Sequence, residues 1–321
     1  MRLQRYFLLR LLYLVPVVGA VIIVNFLLIH LAPGDVATTL AGEDANPDYV
    51  AHIRELYGLD RPFLEQLAAY LWRVAQGDLG LSFRSREPVL TEIMRRVPAT
   101  LLLVGTSLAA AVTIGTACGA LVARRPGGRA DTVASALAIG LYSVPVFWIG
   151  LMLVLLFGVK LRWLPVSGMY DLLGPRDGLA GALNVARHLV LPAVALSTVW
   201  IGQYLLLARV SVIQALAEPY VTTARAIGFP ERTILLRHAL RNALLPLVTV
   251  LGLQLGLVLT GAVLTETVFS WPGLGRMIYE AILTRDTPVI MGAYVVMSVT
   301  VALASLITDI VYAALDPRVR L

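Results

Sequence analysis

Six stretches of the chain carry no Asp, Glu, Lys or Arg. Each is longer than the roughly 20 residues a helix needs to cross a hydrocarbon core. They lie between Arg10 and Asp35, Arg96 and Arg124, Asp131 and Lys160, Arg187 and Arg209, Arg241 and Glu266, and Asp286 and Asp309. Lipid offers no partner to backbone N–H and C=O groups, so a span in such a stretch must be helical. The expectation is an all-α membrane protein with six transmembrane helices. Charged residues make up only 14% of the chain, against about 25% in a soluble domain, which agrees with that reading. The first stretch follows Arg2, Arg5 and Arg10, but it is too long for a signal-peptide core and lacks a clear small-x-small cleavage site, so it reads as an uncleaved span.

The arginines near the span ends set the orientation. Arg2, Arg5 and Arg10 stand without an acid; "RRPGGRAD" places Arg124, Arg125 and Arg129 against Asp131; and five arginines from Arg209 to Arg241 face only Glu218 and Glu231. With six spans these segments fall on one side, together with the C-terminal "DPRVRL". The loops opposite are balanced, as in Arg276 and Arg285 against Glu266, Glu280 and Asp286. The positive-inside rule then puts both termini and the 209–241 loop in the cytoplasm. The chain divides into residues 1–31 (N-terminus and first span), 32–96 (an external helical cap) and 97–321 (the core domain, spans two to six, with the 209–241 loop).

No acidic or basic side chain lies in the middle of a span, whereas ion-coupled carriers generally need intramembrane ionisable groups. A stand-alone secondary transporter is the alternative this weakens. Lys160, the sole lysine, follows Val159 instead of the glycine a P-loop requires. Energy for uphill transport must come from another polypeptide, and the chain is not expected to be an enzyme, to bind a metal or to hold a cofactor of its own. The four histidines, at positions 30, 52, 188 and 238, lack the spacing of a zinc helix, and the single cysteine, Cys118, excludes an intramolecular disulfide.

Small and polar residues mark the spans. Gly115 and Gly119, like Gly252 and Gly256, form G-x-x-x-G steps suited to close helix packing. Pro145, Pro192 and Pro246 each release a carbonyl or kink a span. Asn25, Gln203 and Gln254 either line a polar path or bond a neighbouring helix.

In the cap, Asn46 with Pro47 opens one helix that ends at Gly58, and Asp60 with Pro62 in the first turn opens another that stops at Gly77. Phe63, Leu67, Tyr70, Leu71 and Val74 repeat at helical spacing, a face for the membrane surface or a partner.

The stretch "EPYVTTARAIGFPERTILLRHALRNALLPL", residues 218–247, is the most informative. Pro219 suits a helix start; Tyr220, Val221, Ala224 and Ile227 fall on one face; Gly228 supplies the left-handed stop. A second helix from Phe229-Pro230-Glu231 runs into the fifth span, with Arg237 and Arg241 one turn apart, open to lipid phosphate or to protein. Anionic lipid at about 1 kcal/mol per arginine accounts for the arginines. It leaves unexplained a separate short helix whose apolar face points away from them, a shape that fits a partner's groove.

"YVTTARAIG" followed by "RHALRNALLP" resembles the cytoplasmic loop of permease subunits of the oligopeptide/dipeptide/nickel branch of bacterial ABC importers. The matching positions are Tyr220, Ala224, Arg225, Ala226, Gly228, His238, Ala239, Arg241, Asn242 and Pro246. "HLAPGD" (30–35), "YGLDRP" (57–62), "GDLGLSF" (77–83), "VPATLLL" (97–103), "ETVFSWPGLGRMIYEAILTRDTPVI" (266–290) and "DPRVR" (316–320) are similar to other parts of the family, so the likeness runs nearly the whole chain. Two departures stand out: Thr222-Thr223-Ala224 occupies the place of E-A-A, and Ile227 that of a common Lys.

The resemblance implies a type I importer permease. Pro219 to Gly228 is then the coupling helix that docks on an ATP-hydrolysing subunit, with His238, Arg241 and Asn242 behind it. The implied partners are a second homologous permease, two ATPase subunits that bind ATP and Mg, and an extracytoplasmic substrate-binding protein. Tyr142, Gln203 and Gln254 are the candidates for the translocation path, and the implied substrates are peptides, nickel chelates, glutathione or opine-like molecules.

Overall fold

The structure, a computed structural model, describes residues 2–31, 37–38, 46–56, 58–171, 173–256, 258 and 262–315. Most of "HLAPGD", Tyr57, all of "DPRVR" and the side chains of Arg2, Arg5 and Arg10 lie outside the described residues.

Among the described residues the chain is helical, with one isolated bridge between Leu81 and Pro88. The order is α1 (Arg2–Leu31), α2 (Pro47–Leu56), α3 (Phe63–Ala75), α4 (Val89–Val122), α5 (Arg129–Ser143) and α6 (Val146–Leu153), which continues as a π-helical stretch Val154–Lys160. There follow α7 (Gly178–Leu216), α8 (Pro219–Ala226), a helical turn Glu231–Thr233 and a π-helical stretch Ile234–Ala239 that leads into α9 (Leu240–Gly256). The remaining helices are α10 (Val263–Val268), α11 (Leu274–Leu283) and α12 (Thr287–Leu315).

Among the described residues four helical segments are long and apolar enough to cross a bilayer: Val89–Val122, Gly178–Leu216, Glu231–Leu255 and Thr287–Thr308. A fifth forms if Arg129–Ser143 and Val146–Lys160 are taken as one broken span, bent by 96°. The break falls at Pro145, which has no N–H to continue the ladder of α5 and opens α6 instead. The expected third span is therefore two arms, whereas α7 and α9 run through Pro192 and Pro246 without ending. Among the described residues α1 offers a shorter apolar stretch, Val15–Leu28.

The middle of the bundle is α4 laid along α7, and glycine decides how closely. A β-carbon at Gly115 would sit 2.7 Å from Cβ of Tyr204 and 2.8 Å from the Ile201 carbonyl oxygen. One at Gly119 would collide with the Leu205 carbonyl and with Ala208, so this G-x-x-x-G step packs within the chain. Gly252 likewise meets Thr308, which brings α9 against α12. On the other flank α1 packs along α12.

The described residues between α1 and α4 are tied to the bundle. The Asp48 N–H donates to Asn46 Oδ1 at 3.2 Å, the expected cap of α2, and Gly58 and Gly77 hold φ of 64° and 82° in the turns that follow α2 and α3. α3 starts one residue after Pro62, whose ψ of 141° is extended, so Asp60 does not cap it. Its apolar face, with Leu67, Tyr70, Leu71 and Val74, packs on Ile22, Phe26, Leu79, Val89 and Met291. The sequence reading gave that face to the membrane or a partner; the chain's own helices cover it, because the turn at Gly77 folds α3 back onto α1 and α12.

The segment between α9 and α12 also differs from a simple balanced loop. Glu266 and Asp286 are buried there. Asp286 accepts from Ser82 Oγ (2.6 Å), the Phe83 N–H (3.1 Å) and the Arg84 N–H (3.2 Å), which fastens the end of the cap to the start of α12. Arg276 pairs with Glu280 at 2.8 Å.

Candidate functional site

The 217–239 region builds a small rigid unit from local chemistry. Pro219 occupies the first turn of α8, where a missing N–H costs nothing. The helix closes in a full Schellman motif: the Phe229 N–H donates to the Ala224 carbonyl at 3.2 Å, the Gly228 N–H donates to the Arg225 carbonyl at 3.0 Å, and Gly228 takes φ of 92°.

Val221 and Ala224 are buried against Ile234, with Leu216 and Tyr220 beside them. Behind this, Leu235, Ala239 and Ala243 pack with Val212 and Ala215 of α7 and with Ala120 and Ala123 at the end of α4. Arg225 donates to both oxygens of Glu231, Nε to Oε1 at 2.8 Å and Nη2 to Oε2 at 3.3 Å. The Tyr220 hydroxyl reaches the His238 carbonyl at 3.5 Å, and the rings of Phe229 and His238 lie 5.5 Å apart.

Two expectations change here. Ile227 is 69% exposed and does not share the buried face, because the left-handed turn at Gly228 leaves it at the tip. The apolar face of α8 rests on its own chain, so the face free for a partner carries Thr222, Thr223, Arg225, Ala226 and Ile227, with Phe229 beyond the turn. Arg237, Arg241 and Asn242 are exposed, and Pro246 lies further along α9. Buried His238 Nε2 has no hydrogen-bond partner.

In the bundle, the Tyr204 hydroxyl donates to Gln254 Oε1 at 3.0 Å, and Gln254 Nε2 donates to Gln203 Oε1 at 2.9 Å. Gln203 and Gln254 thus meet across α7 and α9. Tyr142, 59% exposed in the last turn of α5, makes no hydrogen bond among the described residues and does not join them. No local pattern in the sequence marks Tyr204; it is placed by the close crossing of α4 and α7 at Gly115.

A second polar knot lies at the opposite end of α4. Fully buried Glu266 accepts from the Thr100 hydroxyl at 2.8 Å and the Arg276 N–H at 2.9 Å, while Thr100 Oγ1 itself accepts the Leu274 N–H at 2.8 Å. Burial raises the Glu266 pKa above the ordinary carboxylate value; hydrogen bonds from the Arg276 and Gly275 N–H groups and from Thr100, with the charge of Arg96, oppose the rise. The Trp271 indole donates to the Ala99 carbonyl at 2.8 Å, so "ETVFSWPG" is clamped to α4.

A multispan helical bundle with a short, glycine-stopped helix packed onto the start of a span is the build of a transport permease. Residues 115–321 match the family of binding-protein-dependent transport system inner membrane components, and residues 3–104 match the N-terminal part of such membrane components. The chain belongs to this family and is a permease subunit of an ABC importer of the peptide type.

It is 39% identical to the di/tripeptide transport system permease protein DppB of Pseudomonas aeruginosa, over 96% of each chain. It is 37% identical to the dipeptide transport system permease protein DppB of Escherichia coli, over 98% of each. It is 36% identical to the glutathione transport system permease protein GsiC of Escherichia coli, again over 98% of each. In fold it is similar to a chain of the MetNI methionine ABC transporter in an inward-facing conformation, with a TM-score of 0.54 and 17% identity, covering 72% of this chain and 99% of that one.

Proposed function

We propose that this permease crosses the bacterial inner membrane six times, its first span in α1 and its third the bent α5–α6 pair, with both termini and the 209–241 loop in the cytoplasm. Residues 32–96 form the external cap, and residues 97–321 are the core permease domain. It pairs with a second homologous permease to enclose the path, receives its solute from an extracytoplasmic binding protein, and takes its energy from two ATPase subunits that bind ATP and Mg. The relatives named for dipeptides, di/tripeptides and glutathione point to short peptides or similar small solutes as cargo. Gln203 and Gln254, with Tyr142 on α5, are the proposed contributors to the path.

The observation that carries this reading is the construction of α8. Its inner face is buried on Ile234, its C-terminus is locked at Gly228, and Arg225 is paired with Glu231 at the next helix start. A push on the outer face therefore moves α8 and the Ile234–Ala239 start of α9 as one body. A solvated linker has no need of that. Pro219, Tyr220, Ala224, Arg225, Gly228 and His238 build the unit, Ala226 presents its face, and Arg241 and Asn242 extend it.

The test is affinity purification of the chain from its native membranes, wild type beside an Ala226→Arg, Ile227→Asp double variant. The expected result is a second permease and P-loop ATPases with wild type, and loss of the ATPases alone with the variant. Wild type that arrives without an ATPase in gentle detergent, and that transports when reconstituted alone, would establish a secondary carrier instead.

A further inference from the structure

A cavity of about 260 Å³ lies where the π-helical stretch Val154–Lys160, the turn that follows it and the first third of α7 come together. The chain's own bonds set its walls. The Trp163 and Leu164 N–H groups both donate to the Phe157 carbonyl, at 2.9 and 3.3 Å, and the Gly168 N–H donates to the Phe269 carbonyl at 2.9 Å. Val166 packs so closely over Gly158 that a β-carbon there would collide with it. From α7, Asn184 accepts the Asp171 N–H on Oδ1 at 3.3 Å and donates from Nδ2 to the Pro175 carbonyl at 3.2 Å.

The charges around the cavity are unbalanced. Arg162 and Arg187 both border it, against one carboxylate, that of Asp171. Asp171 is engaged elsewhere: buried His188 donates from Nδ1 to the Asn184 carbonyl at 2.9 Å, which turns its Nε2 to Asp171 Oδ1 at 3.5 Å. Neither arginine makes an ion pair or a side-chain hydrogen bond among the described residues. On α7, Arg187 stands three residues after Asn184, so it shares the face that Asn184 and His188 present to the cavity.

Arg162 adds an independent sign. It holds φ of 54°, in the left-handed region that favours glycine, yet an arginine stands there on the cavity wall.

The donors select the ligand's chemistry. With His188 counted as neutral, two guanidinium groups against one carboxylate leave a single positive charge, which one further carboxylate balances. A phosphate monoester, with a charge nearer two, would be left under-compensated and beside Asp171. The cavity is smaller than the roughly 300–1,000 Å³ of sites that enclose a whole ligand, so it takes one end of a molecule.

Position selects the source. His188 lies 24 residues before Val212, where α7 packs on the α8 unit, about 36 Å along the helix. With α8 in the cytoplasm, as proposed above, the cavity faces the side from which the solute is delivered. Gln203 is 15 residues beyond His188, about 22 Å along α7, so an arriving solute meets the cavity before it meets the glutamine pair.

On that importer reading, we infer that Arg162 and Arg187 form a subsite for the C-terminal carboxylate of the delivered peptide, a group that short peptides share whatever their side chains. Asn184, His188 and Asp171 hold the wall that presents the two guanidinium groups.

The test is saturation-transfer NMR of the full chain in detergent with Ala-Ala, with its C-terminal amide, and with acetyl-Ala-Glu-Ala amide, whose only carboxylate is a side chain. Inorganic phosphate is titrated as a competitor. The expected result is saturable binding of Ala-Ala, at least tenfold weaker binding of the other two, and little displacement by phosphate at equal concentration. Arg162→Gly suits φ of 54° and keeps the turn, and Arg187→Gln keeps the helix. Each should weaken Ala-Ala several-fold, and together they should abolish the preference for acid over amide. Equal binding of acid and amide, or no saturable binding, would overturn the proposal. Displacement by phosphate at equal concentration would overturn it in favour of a general anion site. Capped peptide that binds as tightly as Ala-Ala would overturn it in favour of an acidic side chain of a docking protein. Both arginine variants should still co-purify the ATPases; wild type that brings down none fails the importer reading, whatever it binds.

Discussion

Arg209, two turns before the end of α7, donates to both carboxylate oxygens of Asp131 at the start of α5, with Nη2 to Oδ2 at 2.7 Å. Asp131 is buried and also accepts the Gly127 N–H at 2.8 Å, so one carboxylate gathers the "RRPGGRAD" turn and two helices. Removing one partner of such a pair leaves the other charge uncompensated. Asp131→Ala and Arg209→Ala are each expected to lower the melting midpoint in detergent, and the double variant less than the sum of the two. Additive losses in that double-mutant cycle would show that the pair does not act as a unit.

Glu266 should make stability depend on pH. Its pKa is raised in the folded protein, so the folded state holds the proton more tightly than the unfolded chain does. Its contribution is fully present below the unfolded pKa near 4.5 and is lost as pH rises through the raised folded value. Thermal melts of wild type should fall across that window, and those of Glu266→Gln should be flatter. Glu266→Ala leaves the Thr100 and Arg276 donors without an acceptor and is expected to cost about 3 kcal/mol below that window and less above it.

Gly228 holds φ of 92°, where a β-carbon is strained. Gly228→Ala should cost about 1–2 kcal/mol locally and leave the bundle folded, because nothing lies within 4 Å of the added carbon. Its consequence is read in transport: ATP hydrolysis should persist while uptake falls, once α8 no longer moves with α9. Unchanged uptake would mean that the Schellman turn is not what transmits motion.

Gly119 has no room at all. Gly119→Leu should separate α4 from α7 and reduce stability by about 3 kcal/mol or more, seen as loss of monodisperse protein on size exclusion. Gly105→Leu, on the same helix with nothing within 4 Å, is the control and should behave as wild type.

Trp271→Phe keeps an aromatic ring in a fully buried site and removes the indole bond to the Ala99 carbonyl. A loss of about 1 kcal/mol is expected in the same melts.

The amino-acid sequence by itself determined the long apolar helices, the cap of α2 at Asn46 and the stop of α8 at Gly228; that Pro145 breaks its helix while Pro192 and Pro246 do not was decided by the structure. The first three are each dictated within a few residues, by an apolar run, a capping side chain or a positive φ. The family was legible for the same reason, since its motifs are contiguous. Only the tertiary structure decided which face of α8 is free, because Ile234 competes with any partner for Val221 and Ala224. Only it decided that Arg225 is held by Glu231, and that the cap's apolar face is covered from within. It also brought Tyr204 to Gln254 and Thr100 to Glu266, across 50 and 166 positions. Such pairs leave no local period in the chain: they arise where helices cross, and the crossings are set by glycines whose neighbours belong to another helix.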